Sequence, residues 1–283
     1  MSMEWETYGA RLPKVDLTNL TGRLIVIEGT DGVGRPTQTS LLKPWLEQRG
    51  RAIMSTGMTR SALAGKGIKK AKEGNILGPV TSSLFYATDF ADRLENLMIQ
   101  ALRAGFIVLT DRYVYSLMAR AIVRGVSPRW IQNAYSFALK PTAVFYLRIG
   151  VEELIPRVIF HTGFDYWESG MDLHLGNDMY ESFCKYQSAL MNEFESMAEQ
   201  YQFHVIDASR SVDAVFADLS AGVMEVLEAE RLRAAAAPAP APAEPARAEA
   251  ALEPAPTKAT SESADKEVPA AAAKAHTADH VAD

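Results

Sequence analysis

A short apolar run at residues 24–28 stops at Gly29 and opens onto Gly29-Thr30-Asp31-Gly32-Val33-Gly34-Arg35-Pro36-Thr37-Gln38. Two glycines at this spacing, after a strand and before a helix, suit one chemistry. Backbone N–H groups converge on an anion at the helix N-terminus, where the helix dipole also favours negative charge. Gly29 and Gly34 match the phosphate-loop pattern G-x-x-x-x-G-K-[ST]. Two positions depart from it. Arg35 replaces the lysine, keeping the charge on a larger planar fork. Pro36 replaces the hydroxyl residue, removing a group that normally ligates Mg²⁺ and one backbone N–H. Proline is tolerated in a first helical turn, and Thr37 offers a hydroxyl one position late.

The surrounding pattern supplies the elements that must hold this loop. Residues 24–28 open with four apolar residues, three of them β-branched, before Glu28, as in a strand buried on both faces. A helix is predicted at 38–48, a weak second strand at 52–54 and a long helix at 84–104. A third strand at 106–109 ends in Asp111-Arg112-Tyr113. Further strands are predicted at 143–149 and 203–206. Helical patterns lie near 115–124, 128–138, 151–160, 178–200 and 212–231. Alternating strands and helices imply parallel strands with right-handed crossovers, hence a three-layer α/β domain. Residues 163–176 are polar, glycine-bearing and aperiodic, which predicts a mobile segment.

Composition narrows the function classes. The chain has 283 residues, 48% hydrophobic and 23% charged, which excludes a mostly disordered or collagen-like chain. The single cysteine, Cys184, excludes an internal disulfide and a zinc cluster and fits a reducing compartment. Net charge is −6, so a broad nucleic-acid-binding face is not expected. No stretch is long and apolar enough to span a membrane, and residues 1–22 lack a secretory pattern. They predict a disordered or surface-draped extension. Residues 234–283 contain 21 Ala and 7 Pro with no aromatic, which predicts a disordered tail. The folded domain is thus expected at 23–233.

The motifs together resemble those of the thymidylate kinases. The run from Glu28 to Gln38 is similar to that family's E-G-x-D-G-x-G-K-S-T-Q loop. Asp111-Arg112-Tyr113 with Ser116 resembles its D-R-Y…S motif, and Phe90-Ala-Asp92-Arg93-Leu-Glu95 its F-x-x-D-R-x-E helix. Val205-Ile-Asp207-Ala208 resembles its last strand and the loop beside the adenine. The likeness runs from about residue 24 to 227, in order.

The resemblance implies a P-loop NTPase fold with a five-stranded parallel sheet and a lid at about 161–176. It implies ATP and Mg²⁺, a nucleoside monophosphate acceptor, dTMP foremost, a cytoplasmic enzyme, and a homodimer through helices near 78–104 and 128–138. The donor would lie on residues 29–38. Asp31, Arg35, Asp111, Arg112 and Arg157 would be catalytic, with Thr37 and Asp111 on the metal. Arg60, Phe90, Arg93, Arg112 and Tyr113 would bind the acceptor.

Departures from the family pattern are specific. The family's S-x-x-A-Y-Q reads Ser116-Leu-Met-Ala119-Arg120-Ala121, replacing two substrate-choosing residues with a cation and a methyl. The lid's D-R-x-E reads Asp165-Tyr166-Trp167-Glu168, without its arginine. His161 nearby reads as a surface residue. A catalytically weak nucleotide-binding pseudokinase and a P-loop phosphotransferase with another acceptor are the alternatives.

Overall fold

The computed structural model describes residues 5–74, 77–161 and 163–236. Five parallel strands form the sheet: β1 (Arg23–Glu28), β2 (Ile53–Gly57), β3 (Ile107–Asp111), β4 (Ala143–Arg148) and β5 (His204–Asp207), in the order β2-β3-β1-β4-β5. The helices are α1 (Arg35–Glu47), α2 (Gly65–Glu73), α3 (Pro79–Arg93), α4 (Ile99–Arg103), α5 (Val114–Val123), α6 (Pro128–Ala134), α7 (Val151–His161), α8 (Met179–Tyr201) and α9 (Val212–Ala236). The chain leaves β1 toward β2 on one side and later adds β4 on the other. Such a reversal opens a crevice at the carboxyl ends of the strands.

Alternation along the strands builds two cores. Leu24 and Val26 of β1 join one core with α3, α5 and α8, while Ile25 and Ile27 join the other with α1, α7 and α9. This is why residues 24–27 of β1 are all apolar. By the same alternation Glu28 faces the α5 layer.

The extra helix α2 was not expected, because Gly65-Lys-Gly-Ile-Lys-Lys-Ala-Lys-Glu73 has one large apolar residue, the fully buried Ile68. The long helix expected at 84–104 starts earlier and is broken by a π turn at Leu94–Met98 before α4. Residues 5–22 do more than drape the surface. Trp5, Leu12 and Leu20 are buried in the first core, and Trp5 Nε1 donates to the Leu20 carbonyl at 2.9 Å. Backbone bonds from Tyr8 to Ala138 and from Lys140 to Glu6 fasten this arm. Three apolar anchors scattered through a polar segment have no periodicity to detect.

The segment expected to be mobile is closed and pinned. Trp167 is buried, and its Nε1 donates to the Lys72 carbonyl at 3.0 Å. The Arg124 guanidinium donates to the Trp167 carbonyl at 2.9 Å and grips Asp172. The expected Ala/Pro-rich tail lies outside the described residues apart from its first three, which end α9. Among the described residues no helix is long and apolar enough to cross a membrane.

Candidate active site

Residues 29–34 link β1 to α1. Gly34 caps α1 at φ +103°, and Gly32 sits at φ +80° with Val158 so close that a β-carbon would meet it at 2.5 Å. Both positions demand glycine. Pro36 occupies the first turn of α1. Val33 is buried in the second core, and Gln38 is buried with its Nε2 donating to the Val212 carbonyl at 3.0 Å. The side chains of Val33 and Gln38 therefore hold the loop, leaving its backbone and Thr30 to meet a ligand. Thr30 Oγ1 is a buried hydroxyl with no hydrogen-bond partner among the described residues, and Arg35 Nε, also buried, faces Asp111 without a well-aligned hydrogen bond. These groups suit phosphate oxygens.

Arg35 is buried and bent back into the site. Its Nη1 donates to the Gly29 carbonyl at 2.7 Å, its Nε lies 3.3 Å from Asp111 Oδ1, and its Nη2 lies 3.8 Å from Asp31 Oδ1. Burial pulls its guanidinium below its ordinary pKa, while Asp111 and Glu28 oppose that shift. Asp31 is buried and carries two further ion pairs, to Arg112 and Arg120. Three guanidinium groups thus share one carboxylate, a cluster that favours an added anion.

Arg112 sits at φ +71°, an uncommon conformation for a residue with a β-carbon. Glu28 explains how it is held. Its fully buried carboxylate accepts the Tyr113 N–H at 2.8 Å, the Ser116 N–H at 3.3 Å and the Ser116 hydroxyl at 2.5 Å. It thereby caps α5 and fixes the turn that aims Arg112 at Asp31. Burial pushes the Glu28 carboxyl above its usual range.

These groups border a cleft of about 230 Å³ at the ends of β2 and β3. Its lining includes Arg35, Arg60, Lys72, Arg112 and Arg120 against the carboxylates Asp111 and Glu168. Adding Asp31 beneath leaves an excess of two positive charges. A smaller cavity of about 30 Å³ continues inward between Ser83, Tyr86, Arg120, Tyr135 and Trp167.

Several expected site residues lie elsewhere. Phe90 is fully buried against Tyr113, Tyr135 and Phe137, so it is core and not a stacking platform. Tyr113 is buried beside it, its hydroxyl donating to the Leu139 carbonyl at 2.8 Å. Arg93 does not line either cavity. Asp89, one turn earlier, captures its Nε at 2.9 Å and also accepts the Thr59 and Ser61 N–H groups. The pair pins the loop after β2, and the α3 face that lines the cavity is Ser82, Ser83 and Tyr86, nearer the helix start. Arg157 bridges the Val33 and Ser209 carbonyls and is absent from the cleft that holds Asp111 and Arg112. Asp31, Arg35, Arg60, Asp111 and Arg112 are brought together.

The residues present do not build a magnesium cage. Pro36 supplies no hydroxyl, and Thr37 is exposed outside the cleft lining. The remaining ligand, Asp111, faces Arg35, and no group of three His, Cys, Asp or Glu residues is set for a metal among the described residues.

Arg124 and Lys72 were missed, and Arg120 was read only as a cation in place of a substrate-choosing residue. The signal for Arg120 was its place, eight residues after Asp111-Arg112, where the resemblance expects a neutral ring. Lys72 had none, since it belongs to an unrecognised helix.

Comparison with known proteins agrees with this geometry. The family model described as thymidylate kinase matches residues 27–219. The chain is similar to "Probable thymidylate kinase 2" of Saccharolobus solfataricus, 38% identical over 202 residues, covering 71% of this chain and 94% of that protein. It is also similar to the "Thymidylate kinase" of Bifidobacterium longum subsp. infantis, 29% identical over 220 residues, covering 74% and 88%. With its five-stranded parallel sheet, its phosphate loop and a match across most of the described residues, the chain belongs to the thymidylate kinase family.

Proposed function

We propose that the chain transfers the γ-phosphoryl group of ATP to the phosphate of a nucleoside monophosphate, dTMP foremost. The observation that carries this is the cleft beside the phosphate loop, where the charge excess matches a phosphate monoester dianion. An oxygen of the acceptor phosphate attacks the γ-phosphorus, the bond to the β–γ bridging oxygen breaks, and ADP leaves with that electron pair. The reaction asks for positioning and charge neutralisation more than covalent chemistry. The loop N–H groups, Thr30 and Arg35 hold the donor. Arg112 and Arg120 exchange Asp31 for the acceptor phosphate. No step is assigned to a metal held by Thr37 or Asp111. Arg157 braces the loop against the turn after β5, on the donor side.

A pyrimidine ring exceeds the inner cavity, so acceptor entry displaces the Trp167 segment. The active form is a homodimer through the outer faces of α3, the π turn after it and α6, where Val80, Leu84, Leu97 and Trp130 are exposed. A coupled assay of ADP release, with ATP against dTMP, UMP, CMP, AMP and GMP, tests the reading. Turnover with dTMP supports it. No turnover with any monophosphate, despite measured ATP binding, favours the pseudokinase.

A further inference from the structure

Lys72 stands in the last turn of α2, half-buried, and lines both the charged cleft and the inner cavity. Its position is fixed by the backbone, because its carbonyl accepts the Trp167 indole N–H. Most guanidinium groups packed around the site have a carboxylate: Arg112 and Arg120 share Asp31, Arg35 faces Asp111, and Arg124 holds Asp172, while Arg60 at the cleft's edge forms no ion pair among the described residues. The Lys72 ammonium forms no ion pair among the described residues. Burial and then repulsion from Arg120 pull it below its ordinary pKa, with Asp165 and Glu168 opposing from farther off. A shielded cation with no partner is unfavourable, and an arriving anion relieves that cost.

Position 35 adds a second observation. Its guanidinium is directed to the Gly29 carbonyl and Asp111, and the lid offers Tyr166 in place of an arginine. A compact ammonium on a flexible stem differs from a planar fork in that it can follow a phosphoryl group. We infer that Lys72 binds the phosphate oxygens of the acceptor, placing a point charge at the junction between the cleft and the inner cavity.

This rests on the acceptor being a nucleoside monophosphate. Calorimetry on the full chain tests it, with dTMP and thymidine titrated into wild type, Lys72→Met and Lys72→Arg. Lys72→Met is expected to weaken dTMP by about ten-fold or more, the scale of one charged hydrogen bond. It should change thymidine by less than about two-fold, and Lys72→Arg should recover most of the dTMP affinity. Lys72→Gln gives the same comparison if the methionine variant does not fold. Wild-type dTMP affinity in Lys72→Met, or equal losses for dTMP and thymidine, would overturn the inference. The measurement reads binding alone, so failed ADP release by wild type would leave it interpretable.

Discussion

Three guanidinium groups around Asp31 set the residue-scale behaviour of the site. Removing Arg112 leaves Asp31 paired to Arg120 and Arg35, so the fold survives. Arg112→Ala should weaken monophosphate binding by about 1.5–3 kcal/mol, the size of a charged hydrogen bond, with ATP affinity unchanged in the same titration. Pro36 costs the donor side a hydroxyl and an N–H. Pro36→Ser should tighten ATP binding by roughly 1–2 kcal/mol and add a Mg²⁺ dependence that wild type lacks, both read by calorimetry with and without the cation. The motif residues Asp31, Arg35, Asp111 and Arg112 were legible because a loop sequence and a strand-end motif place them. Phe90, Arg93 and Tyr113 lie buried outside both cavity linings, which a linear motif does not show because it does not say which side chains are buried. An aspartate at 89 redirects Arg93, and Phe90 and Tyr113 fill the core together.

At the scale of elements, β1 carries both the phosphate loop and the anchor of α5. The buried Glu28 carboxyl has a raised pKa, so the folded protein binds more protons than the unfolded chain above pH 4.5. Stability therefore falls as pH rises from 4.5 toward the folded value. Thermal melts across this range should show that decline in wild type and a flatter profile in Glu28→Gln, whose carbonyl still accepts both N–H groups. The strands and most helices were legible from periodicity, but two parts were not. Helix α2 is lysine-rich and held by Ile68 alone among large apolar residues. The N-terminal arm depends on isolated anchors that gain meaning only beside α5 and α8. Trp5→Ala should cost about 3 kcal/mol through lost packing and its bond to Leu20, lowering Tm by about 6–12 °C in a scanning melt.

Across the whole molecule, the sheet reversal puts the phosphate loop and a cationic cleft side by side, and one segment lines the cleft with Glu168 and the inner cavity with Trp167. Displacement of that segment should be visible as a change in tryptophan fluorescence when dTMP enters, absent in Trp167→Phe. The exposed apolar residues of α3 and α6 should hold two copies together, and Leu84→Glu should shift the sedimentation coefficient to that of a monomer. The most direct test of the central claim follows γ-phosphorus-labelled ATP mixed with dTMP and either wild type or Arg112→Ala. Labelled dTDP should form with wild type and fall by about ten-fold or more with Arg112→Ala, as expected for a lost phosphate contact. Label appearing as inorganic phosphate alone, or equal dTDP from both proteins, would contradict the account.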